Sequence, residues 1–255
     1  MLRQRSRTCM RTNQKEHETM SNEIAIVVAA GKGERMRPLT LTTPKPMVQV
    51  HGTTMIETVI AGLERRGVKR IYVVVGYLKE CFQDLPRRHP LVTLVENKEF
   101  SYKNNISSIH AVADVLGDTD CFICEGDLYI SDLSLFDRTP GCSCGYGTFC
   151  PGPTDEWVYH ADESGRVVRI GPKGCDDYTT GGIIYLKQQD ARLISQAVLE
   201  AYDHPGHEQL FWDNILEQNL DKIHMEVNPL KRGQIIELDT LEELKAVDPS
   251  YEACC

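Results

Sequence analysis

The feature that most constrains the fold is an apolar run, IAIVVAA from Ile24 to Ala30, which ends directly at a glycine. A short run without polar alternation is typical of a strand that is buried on both faces. Such strands belong to parallel sheets, because helices cover both faces of those sheets. The run therefore predicts an α/β protein with this strand near the centre of its sheet.

The rest of the first half alternates between helix and strand patterns. MIETVIAGLERRG repeats apolar residues at helical spacing and ends in Gly67, and NISSIHAVADVL also reads as a helix. Further buried strands are predicted in three segments, IYVVVGY, VTLVEN and CFICEGD. This order predicts a doubly wound, mainly parallel (mixed) sheet with helices on both faces, a Rossmann-like arrangement. Its ligand crevice would lie beyond the carboxyl ends of the strands.

The second half has a different pattern. WVYHAD and VVRIG flank a turn at Glu163 to Arg166 and predict a hairpin. Strands are also predicted in TTGGIIYLK, IHMEVN and GQIIELD, and helices in DARLISQAVLEAYD, with Asp190 as N-cap, and FWDNILEQNL. Thr240 and Glu243 form a capping box that opens a last helix. We expect one domain over residues 21–250 with a small insertion of antiparallel strands in its second half.

Within that domain, residues 21–130 and residues 131–250 form two halves with these different patterns. Residues 1–20 are basic and lack the apolar stretch of a secretory signal. We interpret them as a disordered tail or as the product of an upstream start codon. A cytoplasmic location is therefore expected, either as a monomer or as a homodimer.

Composition excludes two classes of partner. The 255 residues carry a net charge of −9, whereas nucleic-acid binders hold phosphates with clustered Lys and Arg. No apolar run approaches the roughly 20 residues that span a bilayer. Ten cysteines are present, but Cys142 and Cys144 have no paired CxxC elsewhere, so a zinc site is not favoured and reduced thiols are expected.

The segment AAGKGERMRPLTLTTPKPM, Ala29 to Met47, carries the strongest chemical signal. A strand that ends in a glycine-rich loop presents backbone N–H groups to phosphates, here at Gly31 and Gly33. The loop lacks the GK[ST] ending of a P-loop and the third glycine of a dinucleotide fingerprint. Arg35 and Lys45 supply cations suited to a triphosphate. The alternative is a solvated basic loop.

Asp127 and Asp239 each end an apolar strand, CFICEGD and GQIIELD. We expect both to project into the crevice at the carboxyl edge of the sheet. Mg²⁺ takes one or two protein carboxylates and completes its shell with water and substrate phosphate oxygens. The pair therefore predicts a Mg²⁺ site, although a turn residue at Asp127 and a helix-entry residue at Asp239 are the structural alternatives.

These segments resemble the nucleotidyltransferase superfamily that makes nucleotide sugars and CDP-alcohols. Its G-x-G-x-R loop and following P-K are matched by Gly31, Gly33, Arg35, Pro44 and Lys45, and its two metal-binding segments by E-G-D and L-D-T-L-E-E-L. The resemblance implies that Arg35 and Lys45 act in catalysis and that Asp127 and Asp239 hold Mg²⁺. It also implies that residues 21–130 bind the nucleotide and residues 131–250 the acceptor. The implied nucleotide site consists of Ala29, Ala30, Gly31, Gly33, Glu34, Arg35, Lys45, Asn105, Ser107 and Gly126.

Two segments point to the phosphocholine cytidylyltransferase-like branch. FSYKNNISSI resembles its N-N-x-x-S segment, and FWDNI resembles its aromatic-W-D segment near the acceptor. CTP is therefore the favoured NTP, and the partner substrate is a small phosphorylated amino-alcohol. In relatives a second lysine reaches the acceptor phosphate, and Lys173 stands at that position.

The acceptor itself stays open. A quaternary ammonium needs aromatic faces, for which Trp157, Tyr159, Phe211 and Trp212 are candidates, with Asp213 or Glu237 to balance charge. A primary amine, as in phosphoethanolamine or 2-aminoethylphosphonate, would depend more on the carboxylates. The rival functions are a sugar-1-phosphate uridylyl- or guanylyltransferase, which shares the opening loop, and a non-catalytic nucleotide-binding module.

Overall fold

The computed structural model describes residues 21–252. The expectation for residues 1–20 lies outside the described residues, as do Cys9, Cys254 and Cys255. Among the described residues, no helix is both long and apolar enough to cross a membrane.

Strands and helices alternate in the first half and mix in the second. The strands are β1 (Ile24–Ala29), β2 (Gln49–Val50), β3 (Thr53–Thr54), β4 (Arg70–Val75), β5 (Val92–Glu96), β6 (Cys121–Glu125), β7 (Leu128–Ile130), β8 (Ser143–Ala161), β9 (Val167–Leu186), β10 (Met225–Leu230) and β11 (Ile235–Glu237). The α-helices are α1 (Met55–Arg66), α2 (Leu85–Arg88), α3 (Ile106–His110), α4 (Gln188–Tyr202), α5 (Trp212–Glu217) and α6 (Leu241–Val247).

The main sheet has seven strands in the order β10-β8-β9-β6-β1-β4-β5. Strand β9 pairs antiparallel with both of its neighbours, and every other pair in this sheet is parallel. The apolar run IAIVVAA forms β1, which lies between β6 and β4. The predicted mainly parallel, mixed sheet is confirmed.

Helices cover both faces of this sheet and bury a core on each. Helix α1 packs on one face, where Ile60, Leu63 and Phe122 are fully buried. Helices α3, α4 and α5 pack on the other face, around Ile109 and Ile194. Cys124 belongs to the first core and Cys121 to the second, as their spacing along β6 requires.

Helix ends follow the predicted signals in two cases and depart from them in one. Helix α1 ends at Arg66 before Gly67, and the Thr240–Glu243 capping box opens α6. Asp190 was predicted as the N-cap of α4, but Lys187 holds that position. Asp190 is instead buried inside the first turn, where its carboxylate accepts a 2.6 Å hydrogen bond from Ser143 Oγ. The hydrogen bond from Ser143, which lies on β8, therefore fixes the position of Asp190.

The second half contains a longer hairpin than predicted. Strands β8 and β9 pair antiparallel along most of their lengths, with several register shifts, and the expected turn at Glu163 to Arg166 is only their tip. The segment TTGGIIYLK is the end of β9 and not a separate strand. Helices α3 and α5 are shorter than NISSIHAVADVL and FWDNILEQNL suggested.

The last strand is placed differently from the prediction. Strand β11 does not join the main sheet but pairs antiparallel with β7 in a sheet of two strands. Asp239 therefore does not end a strand of the doubly wound sheet. It reaches the crevice because the register Glu237 to Leu128 places the residues after β11 beside the residues before β7, which include Asp127.

Candidate active site

A cavity of about 810 Å³ opens beyond the carboxyl ends of β1 and β6. This volume is within the range of ligand sites. Its walls come from the glycine-rich loop, the segment 97–108, the ends of β6 and β11, and residues 208–211. Its position is the one that open parallel sheets use for ligands.

Gly33 fixes the shape of the glycine-rich loop. It has a φ of +59°, and a Cβ built there would lie 2.7 Å from Cβ of Lys45. A larger residue would therefore be strained and would also displace Lys45. At Gly31 a Cβ would meet nothing within 4 Å, so that glycine leaves open space in front of the loop.

Lys45 connects the two predicted metal ligands. Its ammonium lies 2.7 Å from Asp127 Oδ2 and 2.8 Å from Asp239 Oδ1. The Lys45 side chain is only 10% exposed, so these ion pairs are poorly screened. Desolvation alone would lower the pKa of Lys45, but the two carboxylates outweigh it and raise that pKa.

Arg35 makes a looser contact with the same group. Its guanidinium lies 3.0 Å from Asp239 Oδ1, but its side chain is 71% exposed. Desolvation acts to raise the pKa of Asp239, and the bonds from Lys45 and Arg35 outweigh this effect and lower it. An exposed arginine can leave such a pair at little cost. Arg35 is therefore available to an incoming phosphate.

The segment between β5 and α3 forms the opposite wall. Asn97 is buried and donates hydrogen bonds to Ser107 Oγ at 2.9 Å and Ser108 Oγ at 3.1 Å. Asn105 accepts a 2.9 Å hydrogen bond from the backbone N–H of Trp212. This wall of the cavity and the first turn of α5 are thus held together.

A second cavity of about 410 Å³ adjoins the first. Val28, Glu125 and Glu237 line both. The remaining walls come from the β8–β9 hairpin, from α5, and from residues of β6, β10 and β11. Gly182, with a φ of +66°, permits close approach here, because a Cβ would lie 2.9 Å from Leu128 and 3.0 Å from Glu125 Oε2.

Four carboxylates line this second cavity, and they belong to Glu125, Glu156, Asp213 and Glu237. Desolvation by the surrounding protein, and then the nearby Asp127 carboxylate, raise the pKa of Glu125 to about 8. Desolvation raises the pKa of Asp213 to about 6. Desolvation and the Asp239 carboxylate raise the pKa of Glu237 to about 7. Glu125 and Glu237 keep exposed surface, because each faces the open space of the cavity.

No cation from the protein balances these carboxylates inside the cavity. Among the described residues that line it, none is Lys or Arg. Lys45 acts on Glu125 and Glu237 from the adjoining cavity, but less strongly than the opposing effects. Uncompensated carboxylates in one small space favour a bound cation. Trp157 and Tyr159 add aromatic surface to the same walls.

Most of the predicted residues meet at these two cavities, although their binding roles stay predictions. The first cavity is lined by Ala29, Ala30, Gly31, Gly33, Glu34, Arg35, Lys45, Asn105, Ser107, Asp127 and Asp239. The second is lined by Trp157, Trp212, Asp213 and Glu237.

Three predicted residues are placed elsewhere. Gly126 does not line the first cavity, and a Cβ there would lie 3.0 Å from the Val28 carbonyl oxygen, so the glycine permits close packing, and its nucleotide contact stays a prediction. Phe211 lines the first cavity and not the second, where an acceptor residue was expected. Lys173 lies in the β8–β9 hairpin and lines neither of the two cavities, although the preceding Pro172 pairs with Trp157 of the second cavity.

Two important residues were missed. Glu125 was overlooked although a single charged residue ends the otherwise apolar strand CFICE, which was a usable signal. Asn97 directly follows β5, and an amide after a buried strand was a weaker signal of the same kind.

Comparison with known proteins places the chain in a family. Residues 25–161 match the MobA-like NTP transferase domain family. The chain is 49% identical to the 2-aminoethylphosphonate cytidylyltransferase of Lancefieldella rimae, over 89% of this chain and 92% of that protein. It is 29% identical to the choline-phosphate cytidylyltransferase of Streptococcus pneumoniae, over 88% of this chain and 96% of that protein.

A solved structure of a cytidylyltransferase is also similar to this chain. The CTP:phosphocholine cytidylyltransferase of Streptococcus pneumoniae superimposes with a TM-score of 0.82 at 28% identity, covering 90% of this chain and 99% of that one. The predicted fold and the predicted branch of the superfamily are both confirmed. The chain belongs to the MobA-like NTP transferase family, in the nucleotidyltransferase branch that includes the phosphocholine and 2-aminoethylphosphonate cytidylyltransferases.

Proposed function

We propose that this protein transfers the cytidylyl group of CTP to a small phosphonate or phosphate that carries a primary ammonium group, and releases pyrophosphate. The observation that carries the proposal is the pair of adjoining cavities, which share Glu125 and Glu237. One contains the cationic glycine-rich loop, and the other contains carboxylates without a protein cation. The 49% identity to a 2-aminoethylphosphonate cytidylyltransferase favours the same acceptor class.

The acceptor's amine is the part that the second cavity would recognise. Glu125, Asp213 and Glu237 offer several oxygens, which suit the three N–H donors of a primary ammonium. A quaternary ammonium has no N–H donors and depends on aromatic faces. Trp157, Tyr159 and Trp212 supply such faces to the same cavity, so the 49% identity to a 2-aminoethylphosphonate cytidylyltransferase decides between the two kinds of amine. We therefore place 2-aminoethylphosphonate and phosphoethanolamine ahead of phosphocholine.

The reaction we propose is a single in-line displacement. An anionic oxygen of the acceptor's phosphonate or phosphate attacks the α-phosphorus of CTP and forms the new P–O bond. The bond between the α-phosphorus and the bridging oxygen breaks, and that oxygen leaves with pyrophosphate. The nucleophile is already ionised near neutral pH, so no general base is required, and positioning and charge neutralisation supply the rate.

The cations of the first cavity would act on the leaving group. Lys45 is held in a fixed direction by packing against Gly33, and Arg35 is free to turn toward a phosphate. Both would hold the β- and γ-phosphates as negative charge builds on pyrophosphate. Fixed donors of this type lower the barrier because they need no rearrangement during the reaction.

Mg²⁺ is the cofactor that we propose for this site. Carboxylate oxygens of Asp127 and Asp239 both lie within hydrogen-bond distance of one nitrogen, that of Lys45, so the two side chains already converge on a single cation. This donor set fits Mg²⁺, which takes oxygen ligands and few protein carboxylates. When bound, the ion would neutralise phosphate charge. CTP and Mg²⁺ are both abundant in the cytoplasm, where we propose that the protein acts.

A pyrophosphate-release assay tests the proposal. Four NTPs would be crossed with 2-aminoethylphosphonate, phosphoethanolamine, phosphocholine and glucose 1-phosphate, each with Mg²⁺. We expect turnover with CTP and the two primary amines, and a lower kcat/KM with phosphocholine. Turnover with UTP and glucose 1-phosphate, but not with CTP, would favour the sugar-nucleotide alternative. No turnover with any pair would support a non-catalytic module.

A further inference from the structure

Three metal-ligating side chains meet at the end of the main sheet opposite the crevice. Cys142 directly precedes β8, and His224 directly precedes β10. These strands are parallel, with Met225 paired to Ser143 and Glu226 paired to Cys144. The register therefore sets His224 beside Cys142, and Glu226 follows on the same face of the edge strand.

The ligand atoms are close enough to share one ion. A sulfur of Cys142, a ring nitrogen of His224 and a carboxylate oxygen of Glu226 all lie within 4.8 Å of one another. His224 Nε2 is 3.0 Å from Glu226 Oε1. Bonds of about 2.0–2.3 Å in a tetrahedral zinc site put neighbouring ligand atoms roughly 3.3–3.7 Å apart. Side-chain rotation alone would close the remaining gap.

The chemistry of the three groups selects the metal. Thiolate and imidazole ligands suit zinc, whereas Mg²⁺ prefers oxygen ligands only. The group also lies at the amino ends of β8 and β10, and Asp127 and Asp239 lie beyond the carboxyl ends of the parallel strands. A zinc ion here would therefore be distinct in both place and ligand type from the predicted Mg²⁺.

The surroundings favour a cation and admit one from solvent. The His224 and Glu226 side chains are 60% and 50% exposed, and Cys142 is partly buried. The Lys187 ammonium pairs with Asp120, 2.9 Å away.

We propose that Cys142, His224 and Glu226 bind one zinc ion, with water in the fourth position, and that this ion fastens the edge strand β10 to β8. The chain continues from β10 into β11 and then to Asp239, so the fastened strand leads directly to the crevice. Sequence alone does not suggest the site, because its ligands come from two distant segments, CSC and HMEV, and neither contains a CxxC.

Cobalt substitution tests the proposal on the full chain. The protein would be stripped of metal with a chelator and titrated with Co²⁺ in the presence of excess Mg²⁺. We expect one equivalent of Co²⁺ to give tetrahedral d–d absorption and a thiolate-to-cobalt charge-transfer band, and Zn²⁺ to remove both. Zinc should also raise the Tm of the unmodified protein.

Variants identify the ligands. Cys142→Ser should abolish the charge-transfer band and the zinc-dependent Tm shift. His224→Gln and Glu226→Gln should each weaken zinc binding by at least about tenfold, since even outer-shell changes have effects of that size. All three variants should retain CTP-dependent turnover, because the site is at the far end of the sheet.

Other thiols supply the matched controls. Cys175→Ser removes an exposed thiol on the β8–β9 hairpin, and a Cys254→Ser/Cys255→Ser double variant removes the terminal pair. Both controls should bind cobalt and zinc as the unmodified protein does. An unchanged cobalt spectrum in Cys142→Ser, or its loss in either control, would overturn the proposal. Octahedral Co²⁺ without a charge-transfer band would overturn it as well.

Discussion

The ammonium nitrogen of Lys45 lies 2.7 Å from a carboxylate oxygen of Asp127. The same nitrogen bonds Asp239, so a lysine stands between the two carboxylates proposed to hold the metal. Lys45 and the metal therefore compete for the same oxygens. Binding of CTP with Mg²⁺ would resolve this competition, because the phosphates offer Lys45 a new partner.

Asp127→Asn tests the proposed catalytic role of Asp127 without a change that should disturb folding. Asp127→Asn keeps the size of the side chain but removes the charge that a Mg²⁺ ligand needs. We expect a loss of kcat of at least about 10³-fold, the upper range for one preorganised electrostatic contact. Pyrophosphate release with CTP and Mg²⁺ measures it. Asp84→Asn, which removes an exposed carboxylate paired with Arg87, should leave kcat unchanged. Near-normal turnover in Asp127→Asn would remove this residue from the mechanism.

Lys45→Met should change metal binding and turnover in opposite directions. Without the competing ammonium, Asp127 and Asp239 should bind Mg²⁺ more tightly in the absence of nucleotide. The kcat/KM for CTP should fall by about 10²-fold or more, since the leaving phosphates lose a fixed cation. Calorimetry with Mg²⁺ alone and steady-state kinetics measure the two effects. Weaker Mg²⁺ binding in the variant would contradict competition.

The sequence was sufficient to predict the fold and the first cavity, because their signals are local. A buried strand, a glycine-rich loop and two charged residues at fixed spacing lie within the segment from Ile24 to Lys45. The main sheet with β1 inside it follows from the same run. Such patterns need no knowledge of distant contacts.

The parts that sequence did not predict depend on long-range pairing. Strand β11 joins β7 and not the main sheet, and this partner choice carries Asp239 to Asp127. Likewise Asp190 accepts a bond from Ser143, a residue of another strand, and so does not serve as an N-cap. Lys173 was assigned from relatives, and the course of a long hairpin decides its position. No local pattern contains this information.

The loop glycines should respond differently to alanine. Gly33→Ala places a Cβ 2.7 Å from Lys45 and forces a residue with a side chain into a φ of +59°. We expect the free energy of unfolding to fall by about 1–2 kcal/mol, because alanine disfavours the left-handed conformation. It should fall further because the new Cβ clashes with Lys45. The Tm and the kcat/KM for CTP should both fall. Gly31→Ala, with no atom within 4 Å of the new Cβ, is the control and should keep the Tm.

Acceptor binding should depend on pH. The pKa values of Asp213, Glu237 and Glu125, about 6, 7 and 8, are all raised, so these groups take up protons as pH falls from about 8.5 to 6. A protonated carboxyl does not attract an ammonium, so the KM for 2-aminoethylphosphonate should rise as pH falls.

Two measurements test whether these carboxylates cause the pH dependence of KM. Calorimetry near pH 7 in buffers of different ionisation enthalpy should show proton release when the amine binds. Glu125→Gln should reduce both this release and the pH dependence of KM, since its group carries the highest of the three pKa values. Equal KM values at pH 6 and 8.5 for the unmodified protein would contradict recognition by these carboxylates.

Asn105 should influence the acceptor although it belongs to the nucleotide wall. Its side-chain oxygen accepts a 2.9 Å hydrogen bond from the N–H of Trp212, the first residue of α5, and the next residue, Asp213, faces the acceptor cavity. Asn105→Ala would leave that N–H without its protein partner and loosen the helix start, at a cost of about 0.5–2 kcal/mol by analogy with lost N-caps.

We therefore expect Asn105→Ala to raise the KM for the acceptor several-fold, as well as any effect on CTP. Asn105→Asp retains the accepting oxygen and should restore the acceptor KM, while its added negative charge in the first cavity should weaken binding of the anionic CTP. Steady-state kinetics with each substrate varied in turn separates the two effects. If Asn105→Ala changes only the KM for CTP, the hydrogen bond between Asn105 and Trp212 has no effect on acceptor binding in the second cavity.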